Sequence, residues 1–284
     1  MSGSIGFQPI SLYQEYAANE TKYADASIKS NAQATALINY FQANAGTITT
    51  PDQLLKNYKI LTVVLTAFNL QGSINDTALL KKLLTQDPTK SGSLAQQLGS
   101  AKYQLFAQAL SNWTTPPFAT ASDRAQIVAA FTTNSFEQTA DTQAPGLANA
   151  LYFTREASSI KTLTALQSDT NLLAVAVATT GVPYDDFGAL SFDQQTSLLQ
   201  KNIKISQLQT PSYVKHVAEQ YLVQQQSSST GTPAPGSLAS LYSDGSDTSG
   251  DSVLGILDPG ANLDSGGTSG SGGSSGGDLI SLFA

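Results

Sequence analysis

The chain has 284 residues, a formal net charge of -7 and no cysteine. One histidine (His216), one tryptophan (Trp113), one methionine (Met1) and two arginines (Arg124, Arg155) leave it poor in the residue types that do nucleophilic, acid–base and metal chemistry. Disulfides and zinc–thiolate sites are excluded, and residues 1–222 balance 14 basic against 15 acidic groups, which denies nucleic acid the basic stripe it needs.

Residues 1–9 read as a flexible lead ending at Pro9, without the basic and apolar regions of a cleaved signal, so any export is expected to proceed without one. No apolar run approaches membrane-spanning length, and no membrane insertion is expected. From about Ile10 to Ala45 nothing breaks the pattern, which predicts one long N-terminal helix. Its middle, from Asn19 to Gln33, is polar enough to predict a helix that faces solvent or waits for a partner. Thr50, Pro51 and Gln53 form a capping signature ahead of Leu54, Leu55, Tyr58, Leu61 and Leu65, which share one helical face. Further helices are predicted over Ser73–Leu84, Leu94–Leu98 and Ala101–Leu110. After Pro116-Pro117 comes a helix carrying Ile127, Val128, Phe131 and Phe136, and another over Leu147–Leu166. Val175-Ala176-Val177 continues helical pattern on both sides and reads as helix, not strand.

A diverged internal repeat is visible. Lys59 to Leu70, Leu79-Leu80, Leu98 and Tyr103 find counterparts in Asn171 to Val182, Leu198-Leu199, Leu208 and Tyr213, at separations of 110 to 119 residues. Each copy reads apolar helix, loop, amphipathic helix, short turn, Tyr-bearing helix.

After about Gln226, Ser, Gly, Thr, Pro and Asp dominate. Thirteen of the 22 glycines and six aspartates lie there, with no Lys or Arg. Such a composition cannot bury enough apolar surface to offset its ordering entropy, so a disordered acidic tail is expected. Three apolar islands interrupt it: Leu238, Leu241 and Tyr242; Val253, Leu254, Ile256 and Leu257; Leu279, Ile280, Leu282 and Phe283. Strung at intervals in acidic surroundings, they are the candidate partner-binding residues.

Candidate chemical motifs fail their structural tests. His216 with Glu219 has no second histidine to complete a site, and Asp185-Asp186 reads as a solvated loop. Gly272, Ser274 and Gly276 match a nucleophile pattern but have no strand before them. An enzyme would need carboxylates brought together by folding, such as Asp141 with Glu156. No catalytic, cofactor-binding or metal residue is assigned.

From Ser135 to Pro183 the chain carries Phe136-Glu137, Ala150 to Phe153, Arg155, Ala157, Ile160, Leu166, Asp169 and Leu172. This spacing resembles that of DUF1217, a bacterial family of unknown function, with residues 204–223 resembling its second helix unit; the resemblance covers about 50–223. Family members are associated with flagellar genes, so the resemblance implies a flagellum-linked role and supplies no catalytic residues.

The expectation is therefore an all-α fold. A helical domain over 10–225, with repeat-like units at about 50–113 and 163–223 and a long N-terminal helix, precedes a disordered acidic Gly/Ser-rich tail at 226–284. The expected function is that of a non-enzymatic structural or accessory protein of the bacterial flagellum. It would be exported to the cell exterior and would contact flagellar or other assembly proteins, its own copies included. No nucleic acid, small-molecule substrate or cofactor is expected. A cytoplasmic export chaperone or assembly regulator is the alternative.

Overall fold

Three short helices open the fold, because asparagines at 19 and 31 interrupt what would otherwise be one. In the computed structural model, which describes residues 8–230, α1 spans Gln8–Ala18, α2 Glu20–Ser30 and α3 Ala32–Asn44. Asn31 takes an extended backbone and its side chain accepts from the Ala34 N–H, so it ends α2 and caps α3. Asparagine suits this position because its side chain competes with the helix for backbone partners. The expected long N-terminal helix is thus three helices.

The others follow as α4 (Pro51–Lys56), α5 (Tyr58–Ala67), α6 (Thr77–Thr85), α7 (Leu94–Leu98), α8 (Ala101–Leu110), α9 (Ala121–Asp141) and α10 (Leu147–Glu156). Then come α11 (Leu163–Gln167), α12 (Thr170–Ala178), α13 (Tyr184–Gly188), α14 (Phe192–Asn202) and α15 (Pro211–Thr230). The described residues contain no strand, as expected of an all-α fold. All belong to one unit of the chain, residues 1–244. The helix expected over Leu147–Leu166 is α10 and α11, parted where Ile160 runs extended and Thr162 caps.

The repeat reaches further back than the sequence pattern suggested. Phe41 and Phe153, Ala45 and Ala157, Ile48 and Ile160, Leu54 and Leu166 are buried pairs 112 residues apart. Thr50 (φ -139°, ψ 154°) and Thr162 (φ -136°, ψ 153°) cap α4 and α11 through their hydroxyls. The single helix expected after Thr50 is therefore two, because Asn57 ends α4 and caps α5 as Asp169 caps α12, and Tyr58 stands exposed instead of joining the face of Leu54, Leu61 and Leu65. Burying each of the paired Phe, Ile and Leu side chains contributes roughly 1.5–3 kcal/mol, so the same positions stabilise both copies. The copies drift apart later, where α13 lengthens the second.

Two cores result, and each borrows its cover from the other half. The first collects α3 to α8 and is closed by Phe131 of α9. The second collects α10 to α15 and is closed by Tyr13 and Tyr16 of α1 and Ala24 of α2, with Phe136 and Ala140 of α9. The helices preceding the first repeat thus cover the second, while α9, preceding the second, reaches back over the first. Tyr16 meets the Phe136 ring edge-on at 5.1 Å, which locks α1 to α9. The polar middle of the N-terminal stretch is therefore not simply solvent-facing: α2 lies on α9 and buries Ala24.

Gly146 makes the tight turn between α9 and α10 at φ +91°, in the left-handed region. A Cβ there would stand 2.9 Å from Cγ of Gln225 and 3.0 Å from Cε1 of Tyr221. Both the backbone and α15 oppose a side chain. Gly146→Ala is expected to lower stability by about 2 kcal/mol, read as a shift in the urea midpoint.

Candidate functional site

Strongly perturbed titratable groups gather where α2, α9 and α10 meet. Glu137, four residues before the end of α9, is almost fully buried. Arg155, in the last turn of α10, grips it with two bonds, Nε to Oε1 at 3.0 Å and Nη2 to Oε2 at 3.1 Å. The same Nη2 donates to Oδ1 of Asn134 at 2.6 Å, and Nη1 pairs with Glu156. Asn134 passes the connection on: its Nδ2 donates to the carbonyls of Thr66 and Ala67, each at 2.9 Å, and so satisfies the open end of α5.

Glu20 brings a third carboxyl from α2. Its Oε1 is buried without a hydrogen-bond partner. Burial pushes Glu137 up to about 8, with Arg155 pulling the other way and Glu20 adding to the rise. Burial also raises Glu20. Glu20 and Glu137, both raised by burial, do not both ionise beside the one guanidinium, so the pair holds a proton near neutrality. The carboxyls that folding brings together are Glu20 and Glu137. Asp141 instead accepts from the backbone of Gly146 and Ala148 in the α9–α10 turn, and Glu156 pairs with Arg155.

A second polar seam joins the two repeats. Tyr152 donates its hydroxyl to Oδ2 of Asp169 at 2.9 Å, and Asp169 also caps α12 through the N–H groups of Asn171 and Leu172. Burial, then the Asp169 charge, raises the Tyr152 phenol above its ordinary value. Lys102 of α8 reaches over from the first repeat, 3.7 Å from Oδ1 of Asp169 and 3.2 Å from Oδ1 of Asn171. Asn171 donates to Asn149, which in turn donates to the Tyr221 hydroxyl.

Of the sequence candidates, His216 stands exposed on α15, and Glu219 binds Gln14 and Lys215. Asp185 and Asp186 occupy the first turn of α13. Among the described residues no group of three acidic, His or Cys side chains could hold a metal. The eleven tail-island residues lie outside the described residues. Neither polar cluster was singled out as a site from sequence, yet Glu137, Arg155, Tyr152 and Asp169 all sit in the stretch that carries the family resemblance. Charged and phenolic residues set in an otherwise apolar spacing were the available signal.

The surface holds large apolar groups as well. Tyr184 and Phe192 are 43% and 65% exposed. Beside Phe192 a cleft of about 450 Å³ runs along α14, lined by Leu190, Leu198, Asp193 and Lys201.

The model of a family described as "Protein of unknown function (DUF1217)" matches the chain over residues 67–214. No curated protein matches it. The fold is similar to the X-ray crystal structure of a protein from Agrobacterium tumefaciens, with a TM-score of 0.67 and 23% identity; the match covers 80% of this chain and 96% of that one.

Proposed function

The chain belongs to DUF1217, a family of proteins of unknown function, and from that premise we propose that it is a non-enzymatic structural or accessory protein of the bacterial flagellum. It acts at the cell exterior through protein–protein contacts. The observation that carries this reading is where the polar residues of the family pattern go. Glu137 pairs with Arg155 and Tyr152 with Asp169 in the interior, so they hold helices together. What the fold presents outward includes Phe192 and Tyr184, the kind of aromatic surface that interfaces use. The flagellar placement comes from the family resemblance.

Immunodetection in sheared, purified flagella against cell lysate tests it. Enrichment with the filaments is the expected result. Confinement to the lysate would overturn the exported role and move the export-chaperone reading to the front.

A further inference from the structure

One surface of the second repeat is covered from within the chain. Ser168 donates its hydroxyl to the Gly99 carbonyl at 2.7 Å, and Lys102 bonds Asn171 beside Asp169. The cover is the corner between α7 and α8, where Gly99 turns at φ +67°. Asp169 is left only 1% exposed.

The same surface of the first repeat is open. The residues 112 positions before Tyr152, Ser168, Asp169 and Asn171 are Tyr40, Lys56, Asn57 and Lys59. They line a cleft of about 540 Å³ together with Gln53 and Tyr58. The supporting geometry is retained: Asn57 caps α5 and donates to the Tyr40 hydroxyl at 3.3 Å, as Asp169 caps α12 and accepts from Tyr152. Lys59 lies 4.8 Å from the centre of the Tyr40 ring. Tyr58 is 66% exposed at the rim.

The chemistry of the open copy is inverted. Ser168 is replaced by Lys56, Asp169 by Asn57 and Asn171 by Lys59, a change of three positive charges at three matched positions. Where the second repeat receives an ammonium, the first offers two. Buried in an interface, like charges would cost affinity and opposite ones would direct the encounter.

We propose that the α4–α5 cleft is a docking site for an acidic peptide segment of a partner protein, seated as the α7–α8 corner is seated on the second repeat, with a carboxylate where Lys102 stands. The proposal rests on the reading of this chain as a protein that works by contacts, and is independent of where in the cell those contacts occur.

The test uses ¹⁵N-labelled full-length protein and two peptides spanning residues 98–106, one native and one with K102D as a stand-in for the acidic segment. The K102D peptide is expected to move the amide signals of residues 57–60 and to bind about tenfold tighter than the native peptide, the effect of reversing the charge at one well-placed position. The triple variant K56S/N57D/K59N gives the cleft the second repeat's chemistry while keeping a capping side chain at 57, and should reverse the preference. Equal binding of both peptides, or no shift from either, would overturn the proposal. Equal shifts from inorganic phosphate would reassign the cleft to small anions. A concentration-dependent rise in mass that K56S/N57D/K59N abolishes would reassign it to a second copy. Failure here with flagellar enrichment intact removes the docking site alone; the converse removes the flagellar placement alone.

Discussion

Arg155→Ala is expected to cost the fold about 3 kcal/mol or more, measured by urea denaturation at pH 8. Removing one member of a buried ion pair costs about 3–5 kcal/mol in comparable sites, and here the cost is that of holding Glu137 protonated at pH 8 together with the hydrogen bonds Arg155 no longer makes. Here the loss is compounded. Arg155 answers Glu137, Glu156 and Asn134 at once, and it lies 5.3 Å from the Tyr152 ring centre. Its removal strips the hold on the joint where α2, α9 and α10 meet.

The same cluster sets a pH dependence. Glu137 titrates near 8 in the fold against an ordinary 4.5, so between those values the native state binds more protons than the unfolded chain. Stability therefore falls as pH rises through this window, by at most about 1.4 kcal/mol per pH unit for one proton. Below 4.5 and above about 8 the group contributes no slope. Glu137→Gln removes its own titration and should reduce the slope, leaving the part that comes from Glu20, which burial also raises, while Arg155→Ala should be more damaging at pH 8 than at pH 5. A wild-type stability that is level from pH 5 to 8 would mean that Glu137 ionises in the fold near its ordinary value.

What the sequence could and could not disclose follows from the distance over which each feature is determined. The start of α4 was legible because Thr50, Pro51 and Gln53 act on one another within a single turn. The matched apolar spacing of the two halves was legible because helical periodicity is local to each, and Val175 to Val177 read as helix because the pattern on both sides was continuous. The breaks at Asn19 and Asn31 were missed: neither is Pro or Gly, and an asparagine inside a polar helical run does not announce that its backbone will turn extended and its side chain cap the next helix, as Asn31 does. The borrowing of cover between cores was hidden, since it depends on contacts such as Tyr16 with Phe136. Glu20 and Glu137 are 117 residues apart, and Lys102 and Asp169 are 67 apart. Periodicity carries no information at such separations. The family-like stretch named Glu137, Arg155, Tyr152 and Asp169 without saying which would pair.

Asp169→Ala is expected to cost about 3–4 kcal/mol, whereas Asn57→Ala, at the matched position of the first repeat, should cost only about 1. Both changes delete a helix cap, worth about 1 kcal/mol. Asp169 does more because it is enclosed. Its loss leaves the Tyr152 hydroxyl buried without its acceptor, a penalty of about 1–3 kcal/mol, and takes from Lys102 the anion beside it. Asn57 is half-buried at the wall of an open cleft, so water can replace what alanine removes. Asp169→Asn keeps the cap and the acceptor and should recover most of the loss. A double-mutant cycle of Asp169→Ala with Lys102→Ala isolates the contribution of the seam between repeats. If the Asp169 and Asn57 variants unfold at the same urea concentration, the α7–α8 corner adds nothing to the cap it covers. The open cleft of the first repeat would then lose its precedent as a surface that gains by being filled.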